Sequence, residues 1–148
     1  MHQKTDVPSE PTFFAEVSFH FDYDFPMNEL DEFTNIHPTY SMRFSQTQIN
    51  PISREHNYGY WLLRSDSESG FDCESLIQQI KVFFENHALT LRKMICKYKP
   101  CYSMLRLYIL VRQENEYPAI RLEPELLTTL SLLGISIDID IENNYISE

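Results

Sequence analysis

The chain has 148 residues, 43% of them hydrophobic and 14% aromatic, which supports one domain with its own core and excludes a disordered acidic tail. Its net charge of −10 disfavours nucleic acid as a partner, because phosphate binding depends on cationic side chains. Three glycines and three cysteines argue against phosphate-cradling loops and against a disulfide framework, and sparse free thiols fit a reducing compartment.

The charge is uneven along the chain. Residues 1–42 carry −7, 43–80 carry −2, 81–112 carry +6 and 113–148 carry −7. Such a map gives a directional field that steers some partners and repels others. Residues 1–12 read as a disordered polar lead-in without an apolar signal segment, and residues 13–148 as one domain. No run approaches the roughly 20 apolar residues that span a bilayer, so a cytoplasmic location is expected.

Residues 13–23 alternate with period two. Val17, Phe19, Phe21 and Tyr23 share one face; Glu16, Ser18, His20, Asp22 and Asp24 share the other, the pattern of a half-buried strand. Pro26 can open a short helix with Met27, Leu30 and Phe33 as its stripe, closed before Pro38. Residues 45–57 are polar and aperiodic, a loop of the length that tends to carry function. Residues 58–64 form the next strand; its Trp61 is read as core rather than as a binding hot spot. After a turn at 66–70, Asp72 can cap a helix whose stripe is Leu76, Ile77, Ile80, Phe83 and Phe84.

A second, shorter helix is expected over 89–97, with Arg92, Lys93 and Lys97 on its solvated side. Residues 102–113 return to strand, with Leu105, Leu107, Ile109 and Val111 on one face. Pro124 opens the last helix, packed through Leu126, Leu127, Leu130 and Leu133, and Gly134 closes it. In the final strand, 135–141, isoleucine alternates with Ser136, Asp138 and Asp140. The first and last strand–helix–strand portions look alike. The expected fold is α+β: a ferredoxin-like sandwich, a mainly antiparallel sheet of four to five strands with two to three helices on one face.

No catalytic motif is present: no nucleophile elbow, phosphate loop or dinucleotide fingerprint. His20, Asp22 and Asp24 share a strand face, as do Asp138, Asp140 and Glu142. If those strands were neighbours the six groups could hold a divalent cation. Facing rows of like charge would destabilise the sheet, so solvated strand faces are the preferred reading, and no metal or cofactor is expected. Cys96, flanked by Lys93, Lys97 and Lys99, is the one candidate thiolate and is read as a packing residue. The basic run at 92–99 is read as a solvated helix face balanced by the acidic majority.

Several short stretches resemble the bacterial domain-of-unknown-function family DUF4279. They are Phe19-His20-Phe21, Thr34-Asn35-Ile36-His37-Pro38 where the family tends to show Leu-Gly-Ile-x-Pro, Tyr60-Trp61-Leu62-Leu63, and Leu133-Gly134-Ile135 running on to Ile139-Asp140-Ile141. The likeness covers roughly residues 13–142. It departs at Asn35, where glycine is expected, and in residues 41–47, which lack the family's basic glycine turn. The resemblance implies a compact α+β domain and brings no catalytic residues.

The leading expectation is a non-enzymatic, acidic recognition protein: a bacterial immunity protein that neutralises a basic toxin domain. The expected contacts are Asp22, Asp24, Asp138, Asp140 and Glu142, with Arg54, Glu55 and His56 from the long loop. A small-ligand sensor with a pocket near Trp61 is the alternative. Neither nucleic acid nor membrane is an expected partner.

Overall fold

In the computed structural model, which describes residues 10–45, 58–113 and 116–144, the first period-two segment forms β1 (Thr12–Phe21). Phe13, Ala15, Val17, Phe19 and Phe21 are buried on one face of it. Pro26 then leads into α1 (Met27–Thr34). Two strands follow, β2 (Tyr40–Met42) and β3 (Gly59–Arg64), then a two-residue strand β4 (Glu68–Ser69). The long helix α2 (Glu74–Tyr98) leads to β5 (Tyr102–Val111), α3 (Pro124–Leu133) and β6 (Ser136–Asn143).

The sheet order is β2-β3-β1-β5-β6, with β4 pairing β1 beyond the end of β3. β1 is antiparallel to both β3 and β5, whereas β5 and β6 run parallel. Leu30 of α1, Leu76, Ile80, Phe84, Leu91 and Met94 of α2, and Leu126 and Leu130 of α3 join the odd-numbered residues of β1 and β5 in one buried cluster. The helices therefore cover the odd-numbered face. The even-numbered face is lined by strand residues and Tyr58.

The fold is α+β, as its residue patterns predict, and among the described residues it has three helices and a mixed sheet of six strands rather than four to five. The order β2-β3-β1-β5 is the expected ferredoxin-like one, with β3 between β1 and β2 and β1 between β3 and β5 as two split βαβ units require; β6 is added beyond β5 through α3, parallel to it. The likeness of the two ends stops at local pattern, since β3 separates β1 from β2 whereas β5 and β6 are direct neighbours.

Two expected boundaries move. The two helices expected between 72 and 97 are one helix of 25 residues. No proline or glycine interrupts 74–98, and Leu91, Met94 and Tyr98 continue the buried stripe begun by Leu76 and Ile80. Each fully buried leucine there contributes about 2 kcal/mol, enough to carry the polar Glu85-Asn86-His87 stretch along. Asp72 does bond this helix, its Oδ1 accepting from the Glu74 N–H at 3.1 Å, although Cys73 occupies the cap position.

β1 ends at Phe21 rather than Tyr23. Tyr23 turns its hydroxyl to donate to the Tyr98 carbonyl, and Asp24 Oδ1 accepts from the Ser45 N–H at 2.8 Å. Asn35 closes α1 at φ 54°, ψ 33°, a left-handed conformation that asparagine tolerates next best to glycine. The departure at Asn35 thus keeps the turn. Residues 1–9 and 46–57, with Arg54, Glu55 and His56, lie outside the described residues; Thr12, expected in the lead-in, already belongs to β1.

Candidate functional site

Because the helices cover one face of the sheet, the even-numbered residues of β1, β3 and β5 meet on the other. There a groove of about 560 Å³ is lined by Glu16, Ser18 and His20 from β1, Tyr60 and Leu62 from β3, Tyr102, Met104 and Arg106 from β5, and Tyr58 just before β3. The registers explain the grouping: His20 lies opposite Tyr60 and Tyr102, Ser18 opposite Leu62 and Met104, and Glu16 opposite Arg64 and Arg106.

One end of the groove is aromatic. His20 stacks on Tyr102, with ring centroids 4.1 Å apart and planes 11° from parallel. Tyr58 stands edge-on to both rings, at 6.4 Å and 5.5 Å. Tyr60 stacks on Tyr40 of β2 at 5.5 Å. Burial, and then the nearby Arg106 charge, push the His20 imidazole down to about 4, and burial beside Tyr40 pushes the Tyr60 phenol up to about 12. His20 and Tyr60 are therefore neutral at physiological pH.

The other end is a row of alternating charge running across four strands: Arg64, Glu16, Arg106 and Asp138. Glu16, 8% exposed, accepts from Arg64 Nε at 2.6 Å and makes a further contact with its guanidinium. Arg106 Nε donates to Asp138 Oδ2 at 2.8 Å, and another of its guanidinium nitrogens donates to the Tyr108 hydroxyl at 3.2 Å. Opposite charges directly across a pair of strands stabilise the sheet, so this row fixes register as well as polarity.

Ser18 Oγ and His20 Nε2 are 3.0 Å apart, close enough for a hydroxyl–imidazole pair. An imidazole held near 4 is too weak a base to activate a hydroxyl efficiently at neutral pH. The pair is better suited to hydrogen-bonding a bound group. Of the thiols, Cys73 is buried and burial pushes it up to about 11; Cys101 donates to the His20 carbonyl at 3.1 Å. Cys96 is exposed rather than the packing residue expected.

The expected acidic contacts do not form one patch. Asp22 and Asp24 follow the end of β1, past the row of His20, and both are exposed. Asp138, Asp140 and Glu142 stand two strands away, in the rows of Glu16, Phe14 and Thr12. The rows of His20 and Thr12 are roughly 26 Å apart at the rise of an extended strand. β5 also lies between β1 and β6, so the two carboxylate rows are not neighbours. Among the described residues no three His, Cys, Asp or Glu groups stand together as a metal site.

Trp61 is fully buried on the helix side, its Nε1–H donating to Asp31 Oδ1 at 2.8 Å. The concave surface expected near it lies on the opposite face, beside Tyr60. In the basic run, Lys97 pairs with Glu29 at 3.0 Å. No helix among the described residues is long and apolar enough to cross a membrane.

Sequence reasoning placed Glu16, Ser18 and His20 on one strand face but read that face as solvated. The overlooked signal was the aromatic content of polar faces: Tyr58, Tyr60 and Tyr102 all fall on the side opposite the core. No curated protein and no solved structure matches the chain. A family model does match, over residues 12–144, nearly the whole of the sheet and helices just described. The chain belongs to the family described as a domain of unknown function, DUF4279.

Proposed function

We propose that this chain is a non-enzymatic recognition protein that binds a protein partner on the open face of its sheet, with an immunity protein bound to a basic toxin domain as the leading case. The observation that carries this reading is the makeup of the groove. Tyr58, Tyr60, Tyr102, Met104 and Arg106 line it, and tyrosine, methionine and arginine are the types enriched at protein interfaces and their hot spots. Pairing within the charge row leaves the floor close to neutral, so the rings supply contact area while Ser18 and His20 supply hydrogen bonds. The net charge of −10 favours a basic partner by raising its rate of encounter.

The test is co-expression with the product of the adjoining reading frame, followed by affinity measurement. The double variant Tyr60→Ala/Tyr102→Ala should fold and lose at least tenfold in affinity. Unchanged affinity in the folded variant would remove the groove from the interface.

A small-ligand sensor is the second reading, favoured by the groove's volume of about 560 Å³, within the usual range for small-molecule sites. It predicts a rise in melting temperature with one compound of a metabolite panel, abolished by Tyr102→Ala. A toxin-like partner that co-purifies while the panel stays silent would count against it.

A further inference from the structure

We infer that the outer edge of β6 accepts a basic strand of the partner, extending the sheet by one strand; this rests on the reading that the partner is a protein. β6 is eight residues long and is the terminal strand of the sheet among the described residues. A terminal strand presents main-chain N–H and C=O groups to any chain that can pair with it.

The side chains specify what that chain carries. Across the sheet the charge row alternates Arg64, Glu16, Arg106, Asp138 and then stops at the edge on a carboxylate. The next position in that row calls for a cation. Two and four residues further along, Asp140 and Glu142 are exposed on the same face. Among the described residues neither has an ion-pair partner; the only pair on this strand is Asp138 with Arg106.

The other face of β6 carries Ile137, Ile139 and Ile141, in register with the buried Leu105, Leu107 and Ile109. Ile139 and Ile141 nevertheless remain 42% and 45% exposed. A strand alternating lysine or arginine with an apolar residue would satisfy both faces at once, because successive side chains point to opposite sides. A second copy of β6 would set carboxylates against carboxylates, which the electrostatics oppose.

The test uses the full chain and a nine-residue peptide alternating lysine and valine, with a scrambled peptide of the same composition as control. The alternating peptide should slow amide hydrogen exchange at residues 136–143 and bind more tightly than the scrambled one. Asp140→Lys/Glu142→Lys should weaken it about tenfold and should gain binding of a peptide alternating glutamate and valine, a swap that a misfolded variant could not show. Absent protection at 136–143, or equal binding by wild type and the charge-reversed chain, would overturn the inference. Protection confined to Tyr58, Tyr60 and Tyr102 would overturn it while leaving the recognition reading intact. Protection of β6 by the peptide, with no co-purifying partner, would do the reverse.

Discussion

His20 and Tyr102 lie directly opposite each other on β1 and β5 and stack ring on ring at 4.1 Å. Burial in this face of the sheet, and then the Arg106 charge, hold the imidazole neutral down to about pH 4. In the unfolded chain the same histidine titrates near 6.5. Between those values the unfolded state binds more protons, so stability rises with pH across that window and falls as pH drops from 6.5 towards 4. The full excursion is worth on the order of 3 kcal/mol. Urea denaturation at pH 4.5 and pH 7 should show a smaller pH dependence in His20→Gln than in the wild type. Equal dependence in the two proteins would mean that His20 titrates normally.

Glu16 sits between Arg64 and Arg106 in the charge row. Its removal leaves two guanidiniums facing a buried gap. Glu16→Ala should therefore cost about 2 kcal/mol, less than breaking a fully buried pair because the Arg64 side chain is half exposed. Arg64→Ala should cost less, since Glu16 keeps Arg106 as a neighbour. The ordering of the two variants in urea midpoints is the measurement.

Trp61 joins β3 to α1 through its bond to Asp31. Trp61→Phe keeps much of the apolar volume but leaves Asp31 without this donor and opens a small cavity. A loss of about 2 kcal/mol is expected. Asp31→Ala in the Trp61→Phe background should then cost little more, because the two side chains act as one pair.

The elements that were readable in the sequence are those with a strong single period and clear punctuation. β1, β5 and α3 were each bounded by alternation or by a Pro–Gly pair, and their buried faces are the expected ones except at Leu127, which is exposed while Leu126, Leu130 and Leu133 are buried. What escaped was set by pairing. β2 is three residues and β4 two, too short for any periodic signal. The parallel union of β5 with β6 depends on how α3 packs, not on the alternation within either strand. The groove was hidden for the same reason, since Glu16, Tyr60 and Arg106 become one surface only when β3, β1 and β5 lie side by side in this register. Asp22, Asp24, Asp140 and Glu142 are exposed, as expected, and Asp138 is half-buried against Arg106; the separation of the two groups follows from the intervening β5.

Lys99 offers a stabilising substitution. It closes α2 at φ 49°, ψ 62°, its N–H donating to the Ile95 carbonyl at 3.0 Å. A side chain with a Cβ pays about 1–2 kcal/mol in that left-handed region, whereas glycine pays nothing sterically and loses roughly 0.5–1 kcal/mol through the greater freedom of its unfolded chain. Lys99→Gly should therefore gain about 0.5–1 kcal/mol and raise the melting temperature by about 2 °C. Lys99→Ala removes the same charge and keeps the Cβ, so it should show no such gain. Asn35→Gly should change little, because asparagine already tolerates the left-handed turn it occupies. Thermal melts of the three variants side by side separate the backbone effect from the charge effect. A melting temperature for Lys99→Gly at or below that of Lys99→Ala would show that this turn carries no strain.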